Sequence, residues 1–156
     1  MRKEDIAPNL SSLAFDFFFW FSRFEFALKE NAYLKSHKVG ANADPGWDEF
    51  VKKWQGKYTA SAEARALLTA KPEQQIVAAK DKLDWKAVDL TDCGSELARV
   101  VRLLKIVRNN LFHGGKHGGE GWDDPKKTEL LLSRGIAVLR QFAQLASLEA
   151  DYTQYY

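Results

Sequence analysis

Cysteine is close to absent from this chain: Cys93 stands alone, which excludes an internal disulfide. A lone thiol suits a compartment where thiols stay reduced, so the chain reads as cytoplasmic. An excess of charge of one sign is also lacking. Lys+Arg 23 against Asp+Glu 21 leaves a formal charge of only +2, which neither demands nor excludes nucleic acid. Any electropositive surface therefore has to be local. The opening MRKEDIAPNLSS lacks an apolar run followed by a small-residue cleavage site, so no secretory signal is expected. The most apolar segment, Leu10 to Leu28, holds five consecutive aromatics from Phe17 to Phe21, but Asp16, Arg23 and Glu25 interrupt it. Each of those charges is costly in hydrocarbon, so the segment reads as a buried helix and no membrane partner is expected. Alternating strand patterns, repeats, low-complexity tracts and interdomain linkers are missing as well.

What is present points to one folded unit. The chain has 156 residues, 46% of them hydrophobic and 13% aromatic, enough for a single domain over 1–156 with its own core. Helix starts are well marked. Asp44-Pro45 and Asp124-Pro125 each place an N-cap acceptor before a proline at the first helical position. Asp92 is positioned to cap a further helix with Glu96 in its first turn, and Pro72-Glu73 suggests another start. Gly114-Gly115 is a stop. These signals predict helices over roughly 9–36, 45–56, 60–70, 72–81, 92–113 and 125–150. The expected fold is all-α, an up-and-down bundle in which three long helices supply most of the core.

The first helix carries two apolar faces. Leu10, Leu13, Phe17, Phe21, Phe24 and Leu28 form one stripe, and Phe15, Phe19, Phe26 and Tyr33 a second, nearly opposite. Asp16, Arg23 and Glu30 run beside the second. Either the helix is central and buries both stripes, or the second face meets another copy of the chain.

The stretch from Val100 to Asp124 carries the chemistry. Leu97, Val100, Val101, Leu104, Val107 and Leu111 share one side of a helix, and Arg108 falls within that stripe. A guanidinium cannot be neutralised there, and burying it unpaired is expensive. It is either paired with a carboxylate of another helix, Glu25 or Asp16, or held in a cleft to meet a phosphate with its planar fork of donors. Asn109 and His113, four apart, lie one turn above each other, and Arg102 lies near the same face. A histidine at a helix C-terminus is often only a favourable charge–dipole contact. Arg, Asn and His within six residues form a phosphate-handling set.

The hexapeptide Arg108-Asn109-Asn110-Leu111-Phe112-His113 resembles the Arg-x4-6-His signature of the HEPN superfamily, in which a polar residue commonly follows the arginine, as Asn109 does here. The specific likeness covers about residues 100–124, and the chain is similar to the small stand-alone bacterial members. The resemblance implies a dimer whose motifs meet across a two-fold axis, and a metal-independent endoribonuclease with Arg108, Asn109 and His113 as catalytic residues. A composite site also suits the geometry, because Arg108 and His113 are about 140° apart around one ideal helix. The implied chemistry is attack of an RNA 2′-OH on the adjacent phosphorus, leaving a cyclic phosphate. Arg102 joins the expected RNA contacts. The glycine-rich run to Asp124 is either a connector or an anion nest, in which Lys116, His117 and Trp122 offer RNA charge and a stacking surface.

No metal and no cofactor are expected. His113 and His117 have ligand-like spacing but no recognised zinc pattern around them, no Gly-Lys-Ser/Thr follows the glycines, and Cys93 has no paired histidine. Three readings follow. The first is a HEPN ribonuclease, a toxin or phage-defence component with an antitoxin protein as partner. The second is a non-catalytic HEPN-type module for RNA, nucleotide or protein binding. The third is a structural helical protein in which Arg108 is a salt-bridge partner.

Overall fold

The computed structural model of the chain describes residues 7–113 and 124–153. The elements run α1 (Pro8–Glu30), α2 (Trp47–Trp54), α3 (Ala62–Ala70), β1 (Glu73–Ala79), β2 (Lys82–Ala87), α4 (Glu96–His113), α5 (Pro125–Leu145) and α6 (Glu149–Thr153). The fold is mostly helical but not all-α. Where a helix was expected over 72–81, an antiparallel hairpin begins, pairing Glu73 with Ala87 and Val77 with Leu83. The physical reason lies in the turn and in the solvent. Asp81 adopts φ 62, a left-handed conformation that aspartate tolerates, and it closes the ribbon between Lys80 and Lys82. The ribbon is anchored at its base by half-buried Trp85 and stands free at its tip, where Val77 and Leu83 are exposed. With neither face buried along its length, it carries no polar–apolar alternation to read.

The long helices form where they were expected, with shifted ends. α1 stops at Glu30 rather than near 36 because the backbone reverses at Ala32, φ 59, and the Tyr33 amide returns to the Leu28 carbonyl at 2.9 Å. That reversal turns Tyr33 into the core and lets Gly46 donate to the Tyr33 carbonyl at 2.8 Å. A Cβ on Gly46 would fall 2.6 Å from the backbone of Leu34, so only glycine fits the crossing. Asp44-Pro45 is not the cap of α2: Pro45 bridges Leu34 and the helix starts two residues later, at Trp47. Asp92 does not cap α4 either, since Ser95 Oγ accepts from the Ala98 amide at 3.2 Å. Asp124-Pro125 is realised, with Asp124 Oδ1 accepting from Lys126 and Lys127 at 2.9 and 3.2 Å.

The core lies where α1, α4 and α5 meet, covered by α2, α3 and α6. From α1 it takes Phe17, Phe21, Phe24 and Leu28, the first of the two stripes; Leu10 and Leu13 are half-buried at its edge. Phe24 sits in an aromatic cluster with Trp47, Phe50 and Phe142 at centroid distances of 5.1, 5.4 and 6.0 Å. Each fully buried phenylalanine contributes about 1.5–3 kcal/mol over leaving it in water. The second stripe divides. Tyr33 is buried and Phe26 half-buried, whereas Phe15 and Phe19 face solvent beside Phe18. Among the described residues, no helix is long and apolar enough to cross a membrane.

Candidate functional site

Helix α4 carries the site because its buried side is locked. Leu97, Val100, Val101, Leu103, Leu104 and Val107 are all buried against the core, which fixes the rotation of the helix about its axis. Arg108 comes out at the margin of that stripe, its side chain 38% exposed. There it lines a cavity of about 320 Å³ with Phe18, Phe21, Ser22, Glu25 and Phe112. Asn109 Oδ1 accepts from Arg108 Nη1 at 2.9 Å. The guanidinium carbon stands 5.5 Å from the Phe21 ring centre and 5.6 Å from that of Phe112. Such contacts are each worth about 0.5–1 kcal/mol at partly exposed positions and hold the guanidinium plane in place.

Of the two carboxylates weighed as partners for Arg108, Glu25 is the one that approaches. Its Oε2 lies 3.9 Å from Arg108 Nη2, while its Oε1 accepts from Trp47 Nε1 at 2.9 Å. Asp16 is exposed on α1. The Glu25 contact is too long for a hydrogen bond, so the indole holds that carboxylate more closely than the guanidinium does. Among the described residues, Arg108 thus keeps N–H donors that no hydrogen bond occupies, beside the cavity it lines.

Arg102 belongs to a different place. It makes a two-pronged pair with Asp92 and donates to the Asp89 carbonyl at 2.8 Å, in a groove of about 710 Å³ between α2, the β2–α4 connection and α4. The pairing holds the Asp92 carboxyl below the usual carboxylate range. Asn109 also lines this groove, so Arg102 shares a face of α4 with Asn109 as expected, and Asn109 in turn contacts Arg108, while Arg102 lies outside the Arg108 cavity. The side chain of His113, and Lys116, His117 and Trp122, lie outside the described residues.

Sequence reasoning passed over Phe18 and Phe112, whose rings meet at 5.0 Å and wall the Arg108 cavity. Their signal was available: Phe112 is four residues after Arg108, on the same helix face. Asn110, inside the motif, holds the hairpin instead, its Nδ2 donating to the Glu73 carbonyl at 2.7 Å. Among the described residues no three His, Cys, Asp or Glu side chains gather as a metal would require. No family model, curated protein or solved structure matches this chain.

Proposed function

We propose that this chain is an RNA-directed protein, a metal-independent endoribonuclease that works as a homodimer through Arg108, Asn109 and His113. The observation that carries this reading is the state of Arg108. Its guanidinium is oriented by Asn109 and two rings, opens on a cavity, and among the described residues has only a distant carboxylate beside it. A preorganised fork of donors of this kind suits the oxygens of a phosphodiester as charge builds on them. In the reaction the 2′-oxygen attacks the adjacent phosphorus and the 5′-oxygen leaves, giving a cyclic phosphate. One His113 takes the 2′-OH proton and the His113 of a second copy protonates the leaving oxygen. Phe15, Phe18, Phe19 and Phe112 form an exposed apolar face continuous with the Arg108 cavity, and a second copy seated there puts two motifs in one place. A toxin or defence role, with an antitoxin protein as silencing partner, belongs to the same reading.

Cleavage of a mixed RNA pool in EDTA tests it. Wild type is expected to leave cyclic-phosphate ends, and folded His113→Ala to lose about 10²–10⁴-fold in rate, the scale of general acid–base catalysis. Equal cleavage by both proteins, or a strict need for divalent metal, would sink the proposal.

The approach of Glu25 favours a second reading, in which Arg108 serves the fold. Arg108→Ala separates the two by stability. A structural role for a buried pair predicts a loss of about 3–5 kcal/mol in denaturant unfolding. A half-exposed guanidinium kept for a ligand predicts a loss of about 1 kcal/mol or less.

A further inference from the structure

The groove on the neighbouring face of α4 shares Asn109 with the site, while its other side chains take no part in the function described above. Its floor is aliphatic, made by Val51, Val88, Val101 and Ile106. Acidic and basic side chains line the groove in equal number: Asp48, Asp89 and Asp92 with Lys52, Arg102 and Lys105. Arg102 and Asp92 hold each other, and Asp89 accepts from the amide and the hydroxyl of Thr91. Lys52 and Lys105 are exposed and close no ion pair among the described residues, with Asp48 one helical turn before Lys52 on α2. Gln55 and Gln74, whose amides make no hydrogen bond among the described residues, also line the groove, as does Asn109, of which the Oδ1 alone is engaged there. At about 710 Å³ the groove falls within the size range of small-ligand sites.

We propose that this groove seats one nucleotide unit of the RNA strand whose neighbouring phosphate is held by Arg108. The base lies on the aliphatic floor, the uncommitted amides meet its edge, and Lys52 and Lys105 meet its phosphate. Asn109 is the hinge between the two places, because the residue that lines the groove also orients the guanidinium in the adjoining cavity. The inference rests on the reading of Arg108 as an RNA-phosphate site, although it concerns different side chains.

The test uses the full chain, fluorescently labelled single-stranded RNA, and the four nucleoside 5′-monophosphates. Anisotropy gives RNA affinity, and chemical-shift titration gives mononucleotide binding. Lys52→Glu with Lys105→Glu is expected to weaken both by about tenfold or more, the scale of a lost charge-assisted hydrogen bond. Ala98→Trp, which fills the groove without touching a charge, is expected to do the same. A monophosphate is also expected to compete with RNA, while Arg108→Ala weakens RNA binding and leaves the monophosphate bound. RNA binding that ignores the groove variants overturns the groove and leaves the Arg108 reading standing. Monophosphate binding without any RNA binding overturns the Arg108 reading, and with it the strand; what survives is a free-nucleotide site. Absence of both overturns the two together.

Discussion

Single residues in this chain act against their usual preferences, and the neighbours decide the sign. Gly135 lies in the middle of α5, where alanine is ordinarily the better helix former by about 1 kcal/mol. Here a Cβ would stand 2.5 Å from Phe17 Cε2, and Phe17 is fully buried with little room to withdraw. Overpacking of about 1–3 kcal/mol then outweighs propensity, so Gly135→Ala is expected to lower the urea midpoint. A higher midpoint would mean that the ring swings aside freely. Tyr58 presents the same kind of conflict between a polar atom and its setting. Its hydroxyl is buried without a hydrogen-bond partner among the described residues, and burial, with Glu96 nearby, pushes the phenol up to about 12. Burial pushes Tyr152 up as well. A phenol raised in this way favours the folded state fully below its ordinary value of 10.0, and loses that contribution as pH climbs through the folded value. Stability is therefore expected to hold up to about pH 10 and to decline between about 10 and 12, less steeply in Tyr58→Phe. A decline of equal slope in both proteins would assign the effect elsewhere.

Among the elements, the hairpin depends on one side chain of α4. Asn110 Nδ2 holds the Glu73 carbonyl, and Trp85 supplies the apolar anchor beside it. Asn110→Ala is expected to cost about 1 kcal/mol and to speed hydrogen exchange in β1 and β2 while the α1 and α5 amides stay protected. Uniform loss of protection would show that the ribbon is integral to the core. The hairpin is also where sequence reading fails most clearly. Pro72-Glu73 has the form of a helix start, and a ribbon standing in solvent lacks the alternation that betrays a half-buried strand. The better cue was the β-branched pair Ile76-Val77 ahead of Lys80-Asp81, a short turn whose aspartate accepts positive φ. The long helices were legible because their stripes match the burial: Phe17, Phe21, Phe24 and Leu28 on α1, and Leu97 through Val107 on α4. Their ends were less so, since no glycine announces the positive φ at Ala32, and Ser95 competes with Asp92 as the acceptor at the start of α4. At the site, the nearness of Arg108 and Asn109 follows from their order on α4, and Glu25 was one of two carboxylates open as partners. The diversion of Arg102 to Asp92 was not legible, because Asp92 had an equally good local role as a cap.

At the scale of the whole molecule, the unsettled surface is the aromatic face of α1. Phe15 is 64% exposed and Phe112 52%, and Phe18 and Phe19 lie beside them. Sedimentation of wild type is expected to give a dimer, and Phe19→Glu a monomer with an unchanged helical spectrum, since the side chain already faces solvent. A monomeric wild type would remove the composite site from the mechanism. The last described helix has a consequence of another kind. Arg23 donates to the carbonyls of Asp151 and Tyr152, Asn31 Nδ2 donates to Asp151 at 2.7 Å, and the Trp20 and Tyr152 rings meet at 4.9 Å. An early helix is thus closed by a late one. During synthesis α1 leaves the ribosome long before α5 and α6 exist. Trp47 and Phe50 of α2 can reach Phe21 and Phe24, but the rest of the apolar face of α1 waits uncovered until the two late helices follow. The order of translation therefore runs against the order of packing, and the nascent chain passes through a period of open apolar surface that a chaperone, or a second nascent copy, is placed to meet.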